Sequence, residues 1–326
     1  MLKRQKTANK IILLGSGRSG TTWLAKLLDS CPEVMYFHEP DSTDKHSGIP
    51  YLPTNEESDD IKENAERYIN RLLQNRHNKT HGKRPFFSKS YRSTFPEFAF
   101  RSSIVLSKLS EKLGVNNVPV FTAEDHNRNI TRLIKSVDSV SRAKLFLDSS
   151  PNIKVVHLIR SPFAVVDSRL RGAKLGLMSN QSYLKELFDA YGETAFDISL
   201  KELNTLSMEE KFTYEWMVHN HQVINSCSGH RNYFFVSYDK LATNVKKELL
   251  KLFKQLQLPW SNQTEILIKE MLAAEKNDSG YFGVIRSPKT QLHKWKESLS
   301  LQQIANISRM LAKSELLSRE FKVSVR

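Results

Sequence analysis

The most constraining feature lies near the start of the chain. Lys10–Leu14 (KIILL) reads as a short buried strand, and a glycine-rich turn, Gly15-Ser-Gly17-Arg18-Ser19-Gly20, follows it directly. Thr21–Ser30 then places Trp23, Leu24, Leu27 and Leu28 at helical spacing, and Pro32 ends that helix. Val34–Phe37 reads as a second strand. A strand, loop, helix and strand within forty residues are the opening of an α/β fold.

The remaining pattern continues that alternation. Asp41–Asp60 is loop, Ile61–Gln74 a helix, and His77–Pro96 a basic irregular stretch containing Lys79, Lys83, Arg84, Lys89 and Arg92. Ile104–Leu113 is helical, and Val118–Thr122 and Leu145–Leu147 read as strands. Lys154–Ile159 (KVVHLI) is the clearest strand, followed by a helix with Pro162 at its first position, where proline is favoured. Helices are expected at Ser182–Leu203, Met208–Ser226, Val245–Leu256 and Thr264–Ala274, a strand at Tyr233–Ser237, a loop at Asn277–His293, and a closing helix at Gln302–Lys313. No repeat or linker interrupts residues 1–326, so one domain is expected. Its architecture is a parallel sheet covered by helices on both faces.

Lys plus Arg is 49 against 35 Asp plus Glu, a formal charge of +14, which predicts an anionic partner. No aromatic-interleaved basic motif of the nucleic-acid type is present. Cys31 and Cys227 are too few for a disulfide framework and read as reduced thiols. No metal spacing exists; His219 and His221, two apart on a helix, face different sides, with Trp216 read as core and the histidines as surface. The run Ile11–Leu14 is shorter than the ~7–15 apolar residues of a signal peptide or the ~20 of a membrane helix. These features together predict a cytoplasmic protein, with peripheral membrane contact left open and the Golgi lumen as the alternative for a trimmed sequence.

The glycine turn sits where backbone N–H groups converge on an anion at a helix N-terminus. Gly15, Gly20 and Thr22 fit a nucleoside-triphosphate loop, but Thr21 stands where its lysine belongs, and the cation is instead Arg18. A second motif runs from His157 through Arg160 to Ser168 and Arg169, a strand that ends in arginine and then a helix. Arginine at the carboxyl end of a parallel strand stands where α/β ligands bind, and its fork matches a phosphate. Glu39 ends the second strand, beside His38, and is the candidate proton acceptor. His38 is its rival; ion pairing of Glu39 with Arg18 is the plainer alternative.

Arg18-Ser-Gly-Thr-Thr-Trp23 resembles the 5′-phosphosulfate loop of sulfotransferases that use 3′-phosphoadenosine 5′-phosphosulfate (PAPS). Arginine at position 18 is closest to the carbohydrate and tyrosylprotein members, as cytosolic members have lysine there. The stretch His157–Arg169 resembles the carbohydrate version, but has Ser161 and Phe163 where that version has Asp and Arg. The resemblance covers roughly residues 10–40, 143–171 and 230–299; it leaves 41–142 as a variable, acceptor-binding region. It implies a P-loop-like α/β fold with about five parallel strands and sulfuryl transfer from PAPS to a hydroxyl, without a metal. In that reading Gly17, Arg18, Ser19, Gly20, Thr21 and Thr22 hold the 5′-phosphosulfate, and Trp23 stacks on adenine. Arg160 and Ser168 hold the 3′-phosphate, while Glu39 is the base: carbohydrate members have a similar stretch ending in Glu-Pro, and tyrosylprotein members place their glutamate base at the same distance from the loop arginine. Tyr238-Asp-Lys-Leu resembles the family's Tyr-Glu-Asp-Leu, with Tyr238 facing the cofactor. Arg286 and Lys294 are the expected contacts of a terminal basic loop. The implied acceptor is a carbohydrate or glycolipid, with a tyrosyl-peptide also open, and the basic cluster His77–Arg101 suits an anionic one. Two other classes remain open, a nucleotide or sugar kinase and a non-catalytic glycan- or nucleic-acid-binding protein.

Overall fold

The computed structural model describes residues 9–44, 48–54, 56–115, 118–122, 130–177, 184–191, 196–273 and 288–321. Five strands form one sheet: β1 (Lys10–Leu14), β2 (Val34–His38), β3 (Thr131–Ser136), β4 (Ile153–Ile159) and β5 (Tyr233–Ser237). Their order is β2-β3-β1-β4-β5, and every neighbouring pair is parallel. Leu13 stands between Lys135 of β3 and Val156 of β4, so β1 is the middle strand.

Alternation along the strands divides the core. Ile11 and Leu13 pack with the helices Thr21–Asp29, Val245–Leu256 and Asn262–Ala273. Ile12 and Leu14 point the other way, onto Asp59–Leu72 and Ala143–Ser149. All four are essentially inaccessible, and each such side chain contributes roughly 1.5–3 kcal/mol of transfer free energy. A further cluster joins Pro162–Lys174, Met208–Cys227 and Leu301–Ala312 beyond β4.

Several expectations are corrected. Leu145–Leu147 belongs to a helix, Ala143–Ser149; a three-residue apolar run has no periodicity to separate the two states. Val118–Thr122 is not a strand, and its Pro119 lacks the N–H a ladder needs. The third strand is instead Thr131–Ser136. The expected helix Ser182–Leu203 is two helices, Leu184–Tyr191 and Leu200–Thr205, the second opened by a capping box of Ser199 and Glu202. The helix expected from Ile104 begins at Thr94, and Leu301–Ala312 is followed by another, Glu315–Phe321. His219 is not on the surface: it is half-buried and hydrogen-bonded to Ser141 Oγ at 2.8 Å.

Candidate active site

All five strands present their carboxyl ends to one cavity of about 350 Å³. This is the edge at which parallel α/β sheets bind ligands. Gly17, Arg18, Gly20, Thr21, Thr22 and Trp23 enter after β1, and His38 and Glu39 at the end of β2. Lys135 enters from β3, Arg160 after β4 and Tyr238 after β5. Ala164, Asp167, Ser168 and Arg171 form one helical stripe along Pro162–Lys174, and Lys294 closes the far side. Six cations (Arg18, Lys83, Lys135, Arg160, Arg171 and Lys294) thus face two carboxylates, Glu39 and Asp167. Such a lining selects a polyanion.

The glycine loop is shaped by steric need at two positions. A Cβ on Gly15 would stand 2.5 Å from the Leu158 carbonyl oxygen. Gly20 has φ +93°, and its Cβ would strike the Tyr238 ring at 2.6 Å; a left-handed residue pressed on a ring must be glycine. The Ser19 N–H closes the turn onto the Ser16 carbonyl at 3.1 Å, so this donor is spent inside the loop. Ser19 itself is fully buried and does not line the cavity. The helix Thr21–Asp29 starts without a side-chain cap, which leaves its first N–H groups for an anion.

Arg18, itself left-handed at φ 73°, donates from Nε to Ser168 Oγ at 2.9 Å. Arg160 lies over the Tyr238 ring, 4.5 Å from its centroid, and donates to the carbonyls of Arg18 (3.3 Å) and Gln291 (2.6 Å). Its buried Nε has no hydrogen-bond partner among the described residues. A partly buried guanidinium with an unanswered, buried Nε–H fits a phosphate group, since leaving that donor unsatisfied is costly. Trp23 is mostly core: it meets Tyr238 edge-on at 5.3 Å and donates to Met271 Sδ at 3.1 Å. Asp239 accepts from the Ser161 N–H at 2.9 Å, which ties the start of the Pro162 helix to the end of β5.

Glu39 pairs with Lys135, not with Arg18. It holds a left-handed φ of 43° immediately before Pro40, a costly conformation for a residue other than glycine. Burial opposes its ionisation, but Lys135 and neighbouring positive charge outweigh it and hold the carboxyl below its ordinary range. His38 is driven down to about 3, first by burial and then by Lys135. It is therefore a neutral imidazole, with Nδ1 bonded to the Tyr36 hydroxyl at 2.7 Å.

The sulfotransferase domain model matches residues 8–314. The chain belongs to the sulfotransferase family. It is accordingly a PAPS-dependent sulfotransferase, an enzyme of sulfuryl transfer. A search of curated proteins gave no significant match. Solved structures with similarity include the sulfotransferase domain from the curacin biosynthetic pathway (14% identity, 94% of this chain and 98% of that one, TM-score 0.45). The sulfotransferase domain of the Synechococcus PCC 7002 olefin synthase is another (15%, 94% and 96%, TM-score 0.42). A third is a retinol dehydratase solved with retinol and PAP (15%, 97% and 83%, TM-score 0.42). The family assignment rests on the domain match.

The sulfotransferase brings Gly17, Arg18, Gly20, Thr21, Thr22, Trp23, Glu39, Arg160, Ser168, Tyr238 and Lys294 to the one cavity. Arg286 lies outside the described residues. Sequence reasoning missed Lys135, Asp167 and Arg171, and it placed Lys83 only in the basic acceptor-side cluster, not at this cavity. Asp167 and Arg171 carried a legible signal, an i,i+4 acid–base pair on the helix of Ser168. Lys135 carried none, because its strand went unrecognised. The departure at Phe163 has a packing reason: the ring is buried and stacks on Trp295 at 4.8 Å.

A second, open groove of about 640 Å³ adjoins the cavity. It is lined by His38, Glu39, Lys83, Lys79, Lys108 and Lys112, among others. His38, Glu39 and Lys83 line both spaces.

Proposed function

We propose that this sulfotransferase transfers the sulfuryl group to a hydroxyl of a carbohydrate or glycolipid, with Glu39 as the base. The supporting observation is that Glu39 borders both spaces, the polyanion cavity and the open groove. The groove is lined by polar and charged residues, basic on balance and with their aliphatic stems also exposed, largely from residues 78–112. A polyhydroxylated acceptor suits such a wall, whereas a steroid or simple phenol calls for an apolar pocket.

In this reading the N–H groups at the start of the Thr21 helix and the Arg18 guanidinium hold the 5′-phosphosulfate of PAPS. Arg160 and Ser168 hold the 3′-phosphate, Trp23 stacks on the adenine and Tyr238 faces the cofactor. Glu39 takes the proton as the acceptor oxygen bonds to sulfur and the bond from sulfur to the phosphate oxygen breaks. Adenosine 3′,5′-bisphosphate (PAP) leaves with its charge met by Arg18. A carboxylate held ionised by Lys135 is always ready but weakly basic. The rate therefore relies on positioning and electrostatic stabilisation. The whole chain acts as one domain, with residues 41–142 forming the acceptor side. Cys31 and Cys227 are both free and buried, which supports a reducing, cytoplasmic setting. No helix among the described residues is long and apolar enough to cross a membrane.

Calorimetry with PAP and with adenosine 5′-monophosphate tests the cofactor site. PAP binding at micromolar affinity, lost in Arg160→Ala and absent for the monophosphate, is expected. Equal affinity for the two nucleotides would overturn the 3′-phosphate assignment. Labelled sulfate transfer from PAPS to glycans and glycolipids, set against phenols and steroids, tests the acceptor; turnover confined to the latter pair would refute it.

A further inference from the structure

The helix Thr94–Lys112 has two opposed apolar faces. Phe100 and Ile104 point inward and are buried. On the opposite side Phe95, Phe98, Val105, Leu106 and Leu109 are exposed, with Leu113 just past the helix end. At 3.6 residues per turn these six fall within an arc of about 100°. Phe95 is 78% exposed, Phe98 69% and Leu113 82%. Single exposed apolar residues need no explanation, but a continuous stripe of them marks an interaction surface.

The charges beside the stripe say what it meets. Arg101, Lys108 and Lys112 follow one of its edges, and Lys108 and Lys112 also line the groove with Lys79 and Lys83. The acidic residues of this helix are already engaged: Glu97 by Arg92 and Arg101, and Glu111 by His77 at 3.8 Å. Two copies laid stripe to stripe in antiparallel fashion would crowd their cationic rows together, and no such pairing of copies would supply an anion to neutralise those rows. Anionic lipid headgroups would neutralise those rows while the acyl boundary took up the phenyl and leucyl side chains, the pattern of interfacial helices. The formal charge of +14 acts in the same direction.

We propose that the exposed face of Thr94–Lys112 docks on an anionic bilayer surface. Docking there sets the groove beside the headgroups, so that the hydroxyl acceptor is carried on a lipid. That last step rests on the acceptor reading above; the docking itself does not.

The test is flotation of the full chain with phosphatidylcholine vesicles, with and without phosphatidylglycerol. Binding is expected only with phosphatidylglycerol, and to weaken as salt rises. A Leu106→Ser, Leu109→Ser double variant should lose binding by tenfold or more, with PAP affinity by calorimetry unchanged. Lys112→Gln should weaken vesicle binding about fivefold, as one cation near such a surface is worth about that much. No flotation by chain that binds PAP overturns the proposal, as does binding that the leucine changes leave intact. A concentration-dependent dimer abolished by those same changes would make the face a self-interface and also overturn it. Flotation without PAP binding would instead count against the cofactor reading alone.

Discussion

His157 links the strand that carries Arg160 to the stability of the fold, and lowering the pH perturbs it. The residue is fully buried in β4. Its Nδ1 meets the Tyr233 hydroxyl at 2.9 Å and its Nε2 meets Asn220 Oδ1 at 3.1 Å. Asn220 Nδ2 donates to the Trp216 carbonyl at 2.6 Å, which fixes the amide orientation. Nε2 must therefore carry the proton, and Nδ1 must accept from Tyr233. Burial holds the imidazole down to about 3, although the bond to Asn220 pulls the other way. The unfolded chain binds this proton near pH 6.5. Stability is then lost as pH falls from about 6.5 toward the folded value, at ~1.4 kcal/mol per pH unit. Between pH 7 and 5 this one group costs about 2 kcal/mol, a sizeable part of a typical 5–15 kcal/mol. Urea unfolding of the native chain and His157→Gln at both pH values isolates the effect. At pH 7 the variant should be the less stable, as Tyr233 and Asn220 lose a partner. By pH 5 its deficit should shrink by about 2 kcal/mol. An unchanged deficit would mean that the folded protein accommodates the imidazolium, and would refute the reasoning.

Two further outcomes are expected. Gly20→Ala should destabilise by more than ~1 kcal/mol, from left-handed strain and the Tyr238 contact, and weaken PAP binding in calorimetry. Gly17→Ala, whose Cβ meets nothing within 4 Å, should leave stability unchanged, and equal thermal shifts for the two would undo the steric account. Lys135→Met should release Glu39 to the effect of burial and raise its pKa. In the native enzyme the depressed Glu39 keeps its ion-pair contribution above the ordinary carboxylate range and loses it only as pH falls through the lower folded value. The acidic limb of kcat/KM should accordingly begin at higher pH in Lys135→Met, and a superimposable profile would remove Glu39 as the titrating base.

What the sequence reveals here is what is local. The glycine turn, the helix from Thr21 and the arginine closing β4 are each written within a dozen residues, because strand ends and helix starts have short-range chemistry. Arg18 and Ser168 are 150 positions apart, and only the parallel pairing of β1 with β4 brings them to 2.9 Å. β3 was illegible for a related reason. Thr131–Ser136 (TRLIKS) is only partly apolar, and it becomes a strand through neighbours on both sides rather than through its own pattern. Its loss concealed Lys135, the partner that decides the charge state of Glu39.

That insertion also bears on the division of labour proposed for the site. Were β2 the direct neighbour of β1, Glu39 would end beside the glycine loop and Arg18 would be its natural partner. With β3 between them, β1 and β2 are two strand spacings apart, about 10 Å. Glu39 then finds Lys135, and Arg18 turns across the sheet to Ser168. The cation assigned to the departing phosphate and the carboxylate assigned to the incoming hydroxyl are thus kept from cancelling each other. The in-line transfer proposed above calls for this separation, since attacking and leaving oxygens stand on opposite sides of sulfur and a base paired with the arginine assigned to the phosphate could serve only one of them.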